Sequence, residues 1–132
     1  MVSEPQWATF PASPTSPRAA RSFVRGVLPE VSEAEIADVI MLLVTELVTN
    51  AVMHAHSPVR VHVVVDDHQV RVAVHDDVPQ PPVRRRASEE ALGGRGLLLL
   101  DRLSDRWGYD SHPPGKTVWF EIGTGAAARG TT

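Results

Sequence analysis

Cysteine is absent from the 132 residues, which excludes a disulfide framework and a thiolate metal site. Lysine is nearly absent: Lys116 is the only one, and the rest of the 13 basic residues are arginine. Positive charge is not in excess, with 16 acidic residues and a net charge of −3. The electrostatic footprint of a nucleic-acid binder is therefore missing, and no direct nucleic-acid partner is expected. No apolar run is read as a membrane span, and the N-terminus lacks the basic start and apolar core of a signal peptide. The length fits one domain with one two-layer core. The expectation is a soluble, single-domain, cytoplasmic protein.

Prolines 5, 11, 14 and 17 make residues 1–15 an extended segment, with 6–10 able to add a short edge strand. Ser16 followed by Pro17 predicts a helix start, with Ser16 as the cap. That helix stops at Pro29. Ser32 and Glu35 form a capping-box pair, and the run to Ala55 carries Ile36, Ile40, Leu43 and Leu47 at helical period. Over 46–54 the run is apolar nearly all round, which predicts burial between a sheet and other helices. Alternation then sets in: Val59, Val61, Val63 and Val65 share one face, as do Val70, Val72 and Val74 after a turn at Asp67 and His68. This is an antiparallel hairpin with one face on a core. Residues 77–92 are rich in proline and charge, a loop long enough to serve as a lid or binding loop. A glycine turn, a short apolar helix from Leu97 and two last strands follow, and 123–132 reads as a disordered tail. The order predicts an α+β two-layer sandwich over 16–122, its mixed, mainly antiparallel sheet carrying helices on one face.

Glu46, Asn50 and His54 are spaced by four and share one helix face within an apolar stretch. A buried carboxylate needs a partner. An oxygen-coordinated Mg²⁺ would be one, with Asn50 as its ligand and Glu46 orienting a hydroxyl or water. A solvated edge is the alternative for Glu46 and Asn50, and an ordinary helix-end position the alternative for His54. Asp76 shares the parity of the core-facing valines, so its carboxylate points inward, where a purine amino group is a suitable donor. A turn-forming strand-end aspartate is the other reading. Gly93, Gly94 and Gly96 allow backbone N–H groups to approach phosphates at a helix start. Arg95 adds charge there or serves the surface. Thr117 either offers its hydroxyl to a phosphate or is simply a strand residue.

The joint order Glu46-Leu-Val-Thr-Asn50, Asp76 and Gly94-Arg95-Gly96-Leu97 resembles the N, G1 and G2 boxes of the GHKL ATPase superfamily. Within it the chain looks most like the stand-alone anti-sigma-factor kinases. The resemblance implies a Bergerat fold and ATP and Mg²⁺ as cofactors. It makes Glu46 the general base, Asn50 the Mg²⁺ ligand and Asp76 the adenine anchor, with Gly94, Arg95, Gly96, Leu97 and Thr117 as further nucleotide contacts. It implies a serine/threonine kinase acting on an anti-anti-sigma partner, a sigma factor as a second partner, and an assembly that can be a homodimer. Val78 and Gln80 stand where the family pattern Asp-x-Gly-x-Gly has its glycines; a narrower nucleotide pocket or a shifted loop would follow, with weaker nucleotide binding, and the motif alone does not establish catalysis. The rival reading is a non-catalytic nucleotide-binding module that sequesters a sigma factor or other regulator.

Overall fold

A computed structural model describes residues 4–28, 34–78 and 96–124. In chain order these are strand β1 (Gln6–Phe10), helix α1 (Ser16–Val27), helix α2 (Ala34–Thr49) and a π-helical turn (Asn50–His54). Then come β2 (Val59–Val65), β3 (Gln69–Asp76), helix α3 (Gly96–Leu103), β4 (Arg106–His112) and β5 (Gly115–Gly123). The sheet order is β1-β2-β3-β5-β4. Every pairing is antiparallel, so the mixed sheet expected above is not seen among the described residues. The two-layer α+β architecture is as expected. β1 pairs with β2 along its whole length, which makes residues 6–10 part of the sheet rather than a leader to it.

Alternation in the sequence becomes two faces in space. Val59, Val61 and Val63, Val70, Val72 and Val74, and Val118, Phe120 and Ile122 are all buried under the helices. Each such side chain contributes about 1.5–3 kcal/mol of burial free energy. The β2–β3 turn is fixed by Asp66, whose Oδ1 accepts from the N–H groups of His68 and Gln69, both at 2.7 Å. That side chain lets Val65 and Val70 close the ladder as its last pair.

α1 buries Ala20 and Val24, and α2 buries Ile36, Ile40, Met41, Leu43, Val44, Leu47 and Val48. α2 packs on α1, α3 and the strands β3 and β5, which is why it is apolar nearly all round. Together with its π turn it forms one helix over Ala34–His54, whose most apolar 18-residue stretch has mean hydropathy 1.8, long and apolar enough to cross a membrane. The expectation that no such run exists is thereby corrected. Its apolar residues are accounted for by the domain core, where more than half of that stretch is buried. Ser16 is not a cap. It is the first helical residue, and its hydroxyl donates to the Pro11 carbonyl at 2.6 Å, tying the helix start to the end of β1. α1 stops at Leu28, which turns extended (φ −67°, ψ 140°), as expected for the residue before a proline. The Ser32–Glu35 capping box falls partly outside the described residues.

Candidate functional site

Glu46 lies in the last turn of α2 and is only 8% exposed, so the solvated-edge alternative does not hold for it. One helical turn later, Asn50 begins the π turn. Its Oδ1 is buried and has no hydrogen-bond partner among the described residues. An orphaned buried amide oxygen carries a desolvation cost of about 1–3 kcal/mol, and a hard cation is one group that relieves it. The residues thus fit Mg²⁺ at Asn50. Among the described residues no group of three His, Cys, Asp or Glu side chains could hold a metal. A cation at Asn50 would take most of its other ligands from phosphate oxygens and water, the usual habit of Mg²⁺.

The π turn changes the face that the spacing predicts. Ala55 N–H reaches back to the Asn50 carbonyl at 3.0 Å, a five-residue step. His54 closes this wider turn and is exposed, so it does not share the burial of Glu46. Two residues on, His56 takes φ 54°, the left-handed conformation that ends the helix.

Ser57 then joins the helix end to the sheet. Its N–H donates to the Ala51 carbonyl at 2.9 Å, and its buried hydroxyl accepts from the Asp77 N–H at 2.9 Å. The metal-ligand candidate at 50 and the strand end at 76 are therefore linked through one buried side chain. The sequence reading passed over Ser57, because its role depends on a contact 20 residues away.

Asp76 closes β3 on the core side, as its parity predicts, and is 6% exposed. It is already bonded. Lys116, directly opposite on β5 and 8% exposed, places Nζ 3.0 Å from Oδ2 and 3.2 Å from Oδ1. The Val78 N–H donates to Oδ1 at 2.9 Å, and Nζ also donates to the Val78 carbonyl at 3.3 Å. A carboxylate has about four acceptor positions, so this set leaves one, on Oδ2. Gly115 permits the close approach: a Cβ there would collide with the Asp76 carbonyl oxygen. Lys116 is the second residue that the sequence reading left without a role, although being the only lysine was a signal.

Thr117 faces the other way. It pairs with His75 in register, on the sheet face opposite to Asp76 and Lys116. Its Oγ1 lies 2.8 Å from His112 Nε2 and 3.3 Å from His75 Nδ1, between two stacked imidazoles. Of the two readings of Thr117 this geometry favours the strand residue, because the core-side face at that step belongs to Lys116. Gly94 and Arg95 lie outside the described residues, as do Gln80 and most of the loop read over 77–92. Gly96 opens α3 and Leu97 follows it in the helix, while Gly93 lies outside the described residues. Val78 keeps both its backbone groups on the Asp76–Lys116 pair, an arrangement a side chain at that position does not prevent.

The family model described as the histidine kinase-like ATPase domain matches residues 10–122. Among solved structures, the RsbU and RsbW domains of Rv1364c from Mycobacterium tuberculosis align with TM-score 0.70 and 21% identity. That alignment covers 91% of this chain and 32% of that one. The blue-light activated histidine kinase of Erythrobacter litoralis aligns with TM-score 0.60 and 23% identity, over 84% of this chain and 42% of that chain. Its separately solved histidine kinase domain gives TM-score 0.51 and 31% identity, covering 68% and 45%. The chain thus spans less than half the length of these solved chains. No curated protein sequence matches it. The likeness at 21% and 23% identity establishes the shared fold, and the family model supplies the membership. With an antiparallel sheet under one helix layer, a buried Glu46–Asn50 turn and an inward Asp76, the chain belongs to the histidine kinase-like ATPase family.

Proposed function

We propose that this chain is an ATP-dependent protein serine/threonine kinase of the anti-sigma-factor kind. It would transfer the γ-phosphate to a small anti-anti-sigma-type protein and bind a sigma factor as a second partner. The observation that carries this reading is the turn at 46–50, where a buried carboxylate precedes a buried amide oxygen without a partner among the described residues. The likeness to a fold containing an RsbW domain supports it, as does membership of an ATPase family.

Each residue has a distinct task in this reading. Asp76 accepts from the adenine amino group through the free position on Oδ2. Asn50 donates its carbonyl oxygen to Mg²⁺, which supplies neutralisation of phosphate charge. Glu46 takes the proton from the attacking hydroxyl. The helix start at Gly96 adds partial positive charge where phosphates would lie. Phosphoryl transfer asks mainly for positioning and charge neutralisation, so this small set is sufficient. The acceptor hydroxyl comes from a docked protein. Incubation with γ-labelled ATP and an anti-anti-sigma protein of the same genome tests the reading: label should reach a serine or threonine of that protein.

One observation favours the non-catalytic alternative. Val78 stands where the family pattern has glycine, with its backbone held on Asp76 and Lys116. Tight binding of the partner with no phosphate transfer by the wild-type chain would establish that module instead.

A further inference from the structure

We propose that Lys116 is a specificity-determining residue of the base pocket, reading adenine together with Asp76. The inference rests on the reading that Asp76 meets the nucleotide base. On the core face of the sheet, Asp76 and Lys116 form a buried ion pair, with Val59 paired to Asp76 across β2 and the buried Val74–Val118 pair the next step along that face. A buried ion pair is commonly no more stabilising than well-packed apolar residues of the same volume. Stability alone is therefore a weak reason for a charge pair at this point. Its geometry suggests another. The pair presents an acceptor and a donor side by side, Oδ2 and Nζ 3.0 Å apart, at the end of β3 and the start of β5.

The hydrogen-bond inventory shows what each partner can still give. Oδ1 is occupied by Lys116 and by the Val78 N–H, whereas Oδ2 takes Lys116 alone. One acceptor position therefore remains, and it is on Oδ2. Two of the ammonium contacts go to the carboxylate at 3.0 and 3.2 Å, and the third, to the Val78 carbonyl, is the longest at 3.3 Å. That third proton is the one most readily redirected to a ligand.

Adenine offers an amino donor at position 6 and an acceptor at N1, the complement of Oδ2 beside Nζ. Guanine and hypoxanthine reverse both, with an oxygen at position 6 and an N–H at N1. An oxygen would then face the carboxylate and an N–H would face the ammonium, so both contacts become repulsive. A carboxylate without the lysine lacks the second contact and would accept the N1–H of the wrong base. Asp76 alone can bind an amino group, but the pair can reject its replacement.

The test is a competition titration of the full chain with ATP, 1-deaza-ATP, which lacks the N1 acceptor, and ITP. Wild type, Lys116→Arg and Lys116→Met are compared, with a thermal melt of each. The proposal expects wild type to bind 1-deaza-ATP and ITP roughly ten- to a hundredfold more weakly than ATP. Lys116→Met should bring ATP and 1-deaza-ATP to within about threefold of each other, and Lys116→Arg should restore the preference. The wild-type analogue comparison needs no mutation, so it decides the matter even if Lys116→Met fails to fold. Equal wild-type affinity for ATP and 1-deaza-ATP overturns the role of Lys116 while leaving the ATP reading intact. No binding of any purine triphosphate overturns both.

Discussion

The hydroxyl of Ser57 accepts the backbone N–H of Asp77 at 2.9 Å, while the N–H of Ser57 donates to the Ala51 carbonyl at 2.9 Å. One buried side chain thus fixes the end of the π turn against the end of β3. Ser57→Ala removes the partner of the Asp77 N–H and should cost about 0.5–1.5 kcal/mol of stability. It should also weaken ATP binding, because Asn50 and Asp76 sit on the two elements it joins. Urea unfolding and an ATP titration on the same variant check both effects. Lost stability with unchanged ATP affinity would mean that the joint does not position the site.

Asp76→Asn keeps an acceptor but removes the charge that holds Lys116. ATP affinity should fall by about 1–3 kcal/mol, the range for a charge-assisted bond. Stability should fall as well, because an ammonium is left buried without its anion. Calorimetric titration and a thermal melt separate the two losses. Normal ATP binding by the variant would remove Asp76 from the base pocket.

Glu46→Gln should retain ATP and partner binding and lose phosphate transfer by roughly two to four orders of magnitude, the usual worth of a positioned general base. Single-turnover transfer from γ-labelled ATP measures it. Transfer at the wild-type rate would show that Glu46 is not the base.

On the outer face of the sheet, His62 stacks on Trp7 with ring centroids 6.2 Å apart. Partial burial, followed by the nearby Arg60 guanidinium and His75, lowers its pKa below the ordinary value of about 6.5. The unfolded chain therefore takes up this proton first as the pH falls. Stability should drop as the pH falls below about 6.5, with no effect from this group above it. An NMR titration should show the imidazole shift, and Arg60→Gln should move its midpoint upward. A midpoint unchanged by that substitution would refute the part assigned to Arg60.

The legible parts of the fold were those encoded by period. Val59 to Val63 and Val70 to Val74 alternate strictly, so the hairpin and the inward direction of Asp76 could be counted off the chain. The same count from Val118, Phe120 and Ile122 puts Lys116 inward and Thr117 outward. The π turn was not legible, since α and π windings use the same residues and differ only in which carbonyl each backbone N–H reaches. Ser57 was hidden for another reason: nothing local marks a serine whose partner is 20 residues away. The Glu46–Asn50 turn was legible as spacing, and the structure added that Glu46 and the Asn50 amide oxygen are buried.

The central claim is that the unpartnered Oδ1 of Asn50 and the carboxylate of Asp76 serve one Mg²⁺-ATP. Its most direct test is an ATP titration with and without Mg²⁺ on wild type and Asn50→Ala. Wild type should bind ATP more tightly with Mg²⁺, and Asn50→Ala should lose that gain while keeping its fold and its Mg²⁺-independent affinity. An Asn50→Ala variant that binds ATP with the full Mg²⁺ dependence of wild type would contradict the account.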